Sequence, residues 1–316
     1  MSMIRFNTMW RHAGILLCAL LLIPVLQACR DRDRPEMNGP EPGAKKEFII
    51  GIVPEHNIFR QKERYEPLAL YLSKKLGLRV ELRIMAGYRN VLESIATGEL
   101  DAAFLGSFTA AAAIRRTGAQ PLARPQYPDG TSTYHGLLFT RKDSSIRSVQ
   151  DMRGRTFAFV DRATTAGWLL PLHYFREHGI ADPEAWLGEV YYTGTHEDAI
   201  MDVLNGKADI GAAKNTVFAA LAEADERITN ELEIFATSPP VPENGLLACR
   251  DVEETLRMKL REVLLAMHLN REGRSALDTL GVTEFIETTE KDYDPVFNYA
   301  EEIGLDIGSD NGNGSF

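Results

Sequence analysis

Cysteine is nearly missing from this chain, with three residues among 316: Cys18, Cys29 and Cys249. Cys18 lies inside an N-terminal apolar run and Cys29 directly behind it, so Cys249 alone belongs to the folded body. A disulfide framework or a thiolate metal cluster there is excluded. An excess of basic charge is missing too. Lys and Arg total 35 against 45 Asp and Glu, a formal net charge of -10. Nucleic-acid binding needs a basic stripe and is excluded. A small-anion site is not, because helix N-termini and backbone N–H groups bind anions without net positive charge. Enzyme signatures are equally scarce. There is no Gly-x-Ser-x-Gly elbow, and no Walker loop or Gly-x-Gly-x-x-Gly. His196-Glu197 lacks a second His at the spacing of a zinc helix, and His173 and His178 do not share a helix face. The expectation is a protein that is not an enzyme and holds no cofactor and no metal.

Long apolar runs are also absent, with one exception. Ile15 to Leu26 follows Arg5, Arg11 and His12, contains Pro24, and is too short to span a bilayer comfortably. It reads as the h-region of a signal peptide. Behind it, Leu26-Gln27-Ala28-Cys29 resembles a bacterial lipobox, with Cys29 as the lipidated first residue of the mature chain. An ordinary secretory cleavage near Ala28 is the alternative. Residues 1–29 are thus read as leader and lipobox. Residues 30–46, charged and carrying Pro35, Pro40, Pro42, Gly39 and Gly43, are read as a tether. The Gly/Asn-rich residues 308–316 are read as a disordered tail.

A chain of 316 residues is long enough for two ordinary domains, or one of unusual size. The 44% hydrophobic and 25% charged residues of the whole chain fit a soluble globular protein. Strands are expected at 48–53, 80–84, 102–105, 134–140, 156–160, 189–192, 210–213, 232–236 and 246–249. Helices are expected at 65–76, 88–97, 168–178 and 253–269, several stopped by a following Gly. Alternation of this kind implies mostly parallel sheets with helices on both faces. One stretch repeats. Tyr88-Arg89-Asn90-Val91-Leu92 to Gly98-Glu99-Leu100-Asp101 matches His196-Glu197-Asp198-Ala199-Ile200 to Gly206-Lys207-Ala208-Asp209 at a constant offset. Each copy is a helix, a Gly stop, then Gly-x-x-Asp leading into a buried strand. Two similar α/β lobes follow, and two such lobes face helix N-termini into a common cleft. Tyr88 and His196 occupy equivalent places in the two copies, and both can donate a hydrogen bond.

Three turns are candidates for that site. Phe157-Ala158-Phe159-Val160-Asp161 runs into Arg162-Ala163-Thr164-Thr165-Ala166-Gly167-Trp168, a buried strand, a hydroxyl-rich turn and a helix. Thr164 and Thr165 supply hydroxyls and the backbone at 165–167 supplies N–H groups, a donor set suited to a tetrahedral oxyanion. An ordinary helix cap would look the same. Leu105-Gly106-Ser107-Phe108-Thr109 repeats the strand–turn–helix pattern. Tyr134-His135 precedes a third apolar strand, where an edge pair with no ligand is the plainer reading.

Together these stretches resemble the phosphonate, phosphite and phosphate receptors of ABC importers. The likeness runs from about Phe48 to about Leu247. It is carried by Tyr65-Glu66-Pro67-Leu68-Ala69-Leu70-Tyr71-Leu72, Gly98-Glu99-Leu100-Asp101-Ala102-Ala103-Phe104-Leu105-Gly106, Gly154-Arg155-Thr156-Phe157-Ala158-Phe159-Val160-Asp161, Tyr192-Thr193-Gly194-Thr195-His196-Glu197 and Asn205-Gly206-Lys207-Ala208-Asp209. The resemblance implies an α/β, two-lobed periplasmic-binding-protein fold, type II-like, with a two-stranded hinge. Lobe one would take residues 47–140 and 237–307 and lobe two residues 141–236, with crossings near Phe139-Thr140 and Ala236-Thr237. The family's turn usually reads Ser-Thr-Ser-Gly. Here it is Thr164-Thr165-Ala166-Gly167, with the third hydroxyl replaced at Ala166. Tyr88, Tyr134 and His196 match ligand-facing positions of the family, and together with Ser107, Phe108, His135, Thr164, Thr165 and Ala166 from the three turns, and Glu197, they are the expected ligand residues. Glu197 matches an acidic position that meets a ligand amine in some members. The implied partners are a small oxyanion, a permease with its ATPase, and the membrane through the lipid anchor, the protein itself being a monomer. A sensory receptor of the same fold would leave the same traces. An enzyme using His196 and Glu197 as acid and base is the remaining rival.

Overall fold

The computed structural model describes residues 47–308. The expected leader, the lipobox at Cys29, the tether and the tail from residue 309 onward lie outside the described residues.

The apolar, β-branched run Phe48-Ile49-Ile50-Gly51-Ile52 suits a strand covered on both faces. The strand Glu47–Ile52 has parallel partners on either side, Arg79–Ile84 and Ala102–Leu105. Helices Ile58–Leu76 and Tyr88–Ala96 make the two crossovers. The antiparallel strands Gly245–Ala248, Gln120–Gln126 and Glu284–Glu287 complete a six-stranded sheet. Leu68, Leu72, Phe104, Leu264 and Leu277 pack together within this lobe.

The second sheet repeats the plan. Thr156–Phe159 lies between parallel strands Glu189–Tyr192 and Ile210–Lys214. Gly136–Arg141 and Leu232–Thr237 follow in antiparallel order. The repeated Gly-x-x-Asp segments do the same work in both lobes. Gly98 and Gly206 stop their helices at φ 74° and 73°, the left-handed region where a side chain is disfavoured. Asp101 then accepts from the Ile49 N–H at 2.8 Å, and Asp209 accepts from the Thr156 N–H at 2.9 Å. Each carboxylate ties the entrance of its own strand to the middle strand of the parallel trio in its sheet.

The structure departs from expectation in four places. The sheets are mixed rather than mostly parallel: Gly245–Ala248, Gln120–Gln126 and Glu284–Glu287 pair antiparallel in the first, and Gly136–Arg141 and Leu232–Thr237 do so in the second. Pro121 and Pro125 disguised the strand Gln120–Gln126. Pro121 sits where the ladder shifts register between Leu246 and Leu247, an irregularity that tolerates a missing N–H. The first helix begins at Ile58 rather than Tyr65, capped by the Asn57 side chain, which accepts from the Phe59 N–H at 3.0 Å. Its first turns are polar, so apolar spacing alone starts too late. The expected strand 134–140 breaks at His135 into Thr133–Tyr134 and Gly136–Arg141. The crossings move accordingly. Residues 139–140 and 236–237 lie inside the second sheet, and the link between sheets is the antiparallel pair Thr133–Tyr134 with Val241–Pro242.

Candidate functional site at the lobe interface

Strand Ala102–Leu105 ends at Gly106, which caps helix Ser107–Thr117 with no side-chain hydrogen bond. The first N–H groups of that helix are open to an outside acceptor. One finds it across the interface, where the Phe108 N–H donates to Thr165 Oγ1 at 2.8 Å. The Thr109 hydroxyl donates to the Ala163 carbonyl at 2.7 Å. Ser107 Oγ donates to the Pro242 carbonyl and lies 3.2 Å from Tyr134 Oη. The helix N-terminus of one lobe therefore meets the hydroxyl turn of the other.

That turn is shaped locally. Asp161 accepts from the Ala163 N–H through its side chain, and its carbonyl accepts from the Thr164 hydroxyl at 2.6 Å. Residues Thr165–Leu169 form a single π-helical turn before helix Leu170–Glu177. Gly167 is required here by close approach: a Cβ would stand 2.4 Å from the Val160 side chain. Thr164, Thr165 and Ala166 are all buried. The Thr164 side chain makes no cap bond to the following helix, whereas Thr165 reaches across to the opposite lobe.

The structure brings Ser107, Phe108, Tyr134 and Thr165 into contact, with Thr164 and Ala166 in the same turn. Tyr88 is buried nearby, its hydroxyl donating to the Pro54 carbonyl at 2.9 Å, and burial pushes that hydroxyl well above its usual pKa. His135 is placed elsewhere. Its Nδ1 donates to the Ser238 carbonyl at 2.7 Å and its backbone N–H to Asn215 Oδ1 at 2.8 Å, so it secures the crossing chains. His196 and Glu197 belong to a neighbouring charged cluster.

Sequence reasoning missed that cluster. Its centre is Lys214, 3% exposed, at the end of strand Ile210–Lys214. Its ammonium donates to Glu55 at 3.0 Å, to Asn244 at 3.2 Å and to Glu243. The other Glu243 oxygen accepts from Tyr127 Oη at 2.9 Å. An ammonium has three protons, and all three are used. Burial opposes the charge of Lys214, but the Glu243 and Glu55 carboxylates outweigh it and hold its pKa well above normal. Burial likewise raises Glu55, yet Lys214, His56 and His196 overcome it and hold the carboxyl at about 2. His196 is buried, and its Nδ1 accepts from the Lys214 backbone N–H at 3.3 Å. Burial lowers its pKa to about 3, against the opposing pull of Glu55. Glu197 accepts from the Asn57 N–H at 3.2 Å, with His56 Nδ1 at 3.7 Å and Arg60 at 3.8 Å.

A cleft of about 690 Å³ opens beside this cluster, lined among others by Glu55, His56, Arg64, Tyr127, Lys214 and Glu243. The ten residues singled out from the sequence do not line it. The signal that could have exposed the cluster is a charge in the wrong place. Lys214 ends the otherwise apolar Ile-Gly-Ala-Ala run, and Glu243-Asn244 immediately precedes the buried Gly-Leu-Leu-Ala strand. Among the described residues no group of His, Cys, Asp and Glu is arranged to hold a metal ion.

Residues 50–293 match the family described as the periplasmic substrate-binding protein of the phosphonate ABC transporter. The phosphonates-binding periplasmic protein of Escherichia coli K12 is 23% identical over 257 residues, covering 80% of this chain and 75% of that one. The phosphate-import protein PhnD of Mycolicibacterium smegmatis is 27% identical over 215 residues, covering 65% and 66%. Among solved structures, PhnD1 of Prochlorococcus marinus in complex with methylphosphonate superposes with a TM-score of 0.73 at 20% identity, covering 82% of this chain and 98% of that one. A binding protein component of a phosphonate transporter from Pseudomonas aeruginosa superposes at 0.75 with 22% identity, covering 81% and 85%. This chain belongs to the phosphonate-type periplasmic substrate-binding proteins of ABC transporters, a family of two-lobed receptors rather than enzymes.

Proposed function

We propose that this protein captures a small phosphorus oxyanion, a phosphonate, phosphite or phosphate, and delivers it to an ABC permease and its ATPase. The observation that carries the reading is the hydrogen bond from the Phe108 N–H to Thr165 Oγ1. A buried helix N-terminus already holds an acceptor oxygen supplied by the opposite turn. An anion entering with the lobes apart takes that oxygen's place and gains the Thr165 and Ser107 hydroxyls as donors. Such charge-assisted bonds are stronger than the neutral bonds they replace, and the lobes close again about the ligand by turning on the 133–134 and 241–242 strand pair. The receptor acts as a monomer held to the membrane through lipidated Cys29. Calorimetric titration with phosphate, phosphite, methylphosphonate and sulfate tests the ligand class. At least one phosphorus anion should bind well above sulfate, and sulfate binding equally or all four failing would sink it. For the anchor, Cys29→Ser should release the chain from membranes or leave it unprocessed. Equal membrane partitioning with both forms processed would remove the lipid.

A further inference from the structure

We propose that Lys214 is a specificity-determining residue, a built-in counter-ion that fills the Glu55–Glu243 carboxylate pair and so restricts the ligand to phosphorus oxyanions without a cationic substituent. The inference rests on the phosphorus-oxyanion reading of the neighbouring seat and names which members of that class are refused.

Two carboxylates converging in a buried wall would by themselves be a receptor for a ligand ammonium, since buried carboxylates need a cation or strong donors. In this protein the cation is supplied by the chain. Lys214 Nζ contacts Glu55 and Glu243, and Asn244 takes its third proton. Glu243 has its second oxygen engaged by Tyr127 and its first shared with the Asn244 N–H. A ligand amine arriving here would meet a fixed positive charge where it needs a negative one. Lys214 also has no donor left for a second anionic group, so it selects by exclusion rather than by contact.

The place is within reach of the seat. Lys214 Nζ stands over the Tyr134 ring, 4.5 Å from its centroid, and the hydroxyl of that ring is 3.2 Å from Ser107 Oγ. One aromatic ring separates the counter-ion from the anion seat. The lysine is held there at both ends, its backbone N–H by His196 Nδ1 and its ammonium by three acceptors. His196 and Glu55 are therefore explained as supports of the counter-ion.

Calorimetry on the full chain with methylphosphonate and 2-aminoethylphosphonate, two ligands with the same head group, tests the assignment. The wild type should prefer methylphosphonate by about tenfold or more, the scale of one charge-assisted contact. Lys214→Met should shift that ratio toward the amine by at least about tenfold. Equal wild-type affinity for the two ligands, or an unchanged ratio in the variant, would overturn the inference and leave the proposed function standing. If Lys214→Met does not fold, Lys214→Met/Glu55→Gln removes one charge of each sign and keeps the net charge of the cluster. It should fold, bind methylphosphonate like the wild type and gain affinity for the amine through Glu243, and no gain would overturn the proposal. A wild type that binds neither phosphonate nor phosphate would defeat the proposed function and this inference together.

Discussion

The proposed anion seat and the Lys214 cluster lie one aromatic ring apart and are built differently. The seat is made of backbone N–H groups and hydroxyls, from Phe108, Ser107, Thr165 and Tyr134. The cluster is made of full charges, from Glu55, Lys214 and Glu243. Neutral dipoles can pair with each other when no ligand is present, as Phe108 and Thr165 do, and separate at modest cost. Buried charges have no such freedom, because separating them exposes each to an environment that cannot solvate it. The seat is the part of the interface suited to exchanging a ligand, and the cluster is the part suited to holding shape and refusing ligands.

The contrast can be broken most severely at Lys214. Lys214→Met strands the buried Glu243 carboxylate and the mostly covered Glu55 and should cost roughly 3–5 kcal/mol of stability. Denaturant unfolding measures it, and a loss below about 1 kcal/mol would mean that the cluster is effectively solvated.

The next largest effect is on pH dependence. Glu55 has a folded pKa of about 2, below its ordinary 4.5, so its contribution is complete above 4.5 and is lost as pH falls toward 2. His196 is neutral in the fold, its pKa lowered by burial from 6.5 to about 3, and the neutral ring accepts from the Lys214 N–H. The unfolded chain binds that proton first, so stability falls from about pH 6.5 downward. Both groups act in the same direction. Melting temperature should therefore decline steadily from pH 7 to pH 4, and His196→Gln should flatten the upper part of that decline. A flat profile in the wild type would contradict the buried charges.

At the seat the expected loss is smaller. Thr165→Val removes one neutral acceptor and should cost about 1 kcal/mol of stability without ligand. Anion binding should weaken by tenfold or more, since hydrogen bonds to a charged group are worth roughly 1.5–3 kcal/mol. Calorimetry and thermal melts on the same sample separate the two numbers, and an unchanged dissociation constant would move the seat elsewhere. The smallest effect belongs to His135. His135→Ala should reduce stability while leaving ligand affinity within about twofold, because its bonds go to Ser238 and Asn215. A tenfold weaker complex would bring it back to the site.

Much of the architecture was legible because it is written in local chemistry. The repeated Gly-x-x-Asp segments announced two similar lobes, since a left-handed stop followed by a strand-tying carboxylate needs those residue types at that spacing. The turns at 106–109 and 164–167 were legible for the same reason, a short polar break between a buried strand and a helix. Strands with disguised patterns were not, as Pro121 and Pro125 show in Gln120–Gln126.

By itself the sequence determined the two-lobed α/β plan, the family and the hydroxyl turns that face the interface, because each depends on residues close together in the chain. Only the tertiary structure decided that Thr165 meets the Phe108 N–H, that the crossing strands are 133–134 and 241–242, and that Lys214 stands between Glu55 and Glu243. Those contacts join residues far apart in sequence, and no spacing rule connects them. Their strength comes from exclusion of water at an interface that exists only once both lobes have folded.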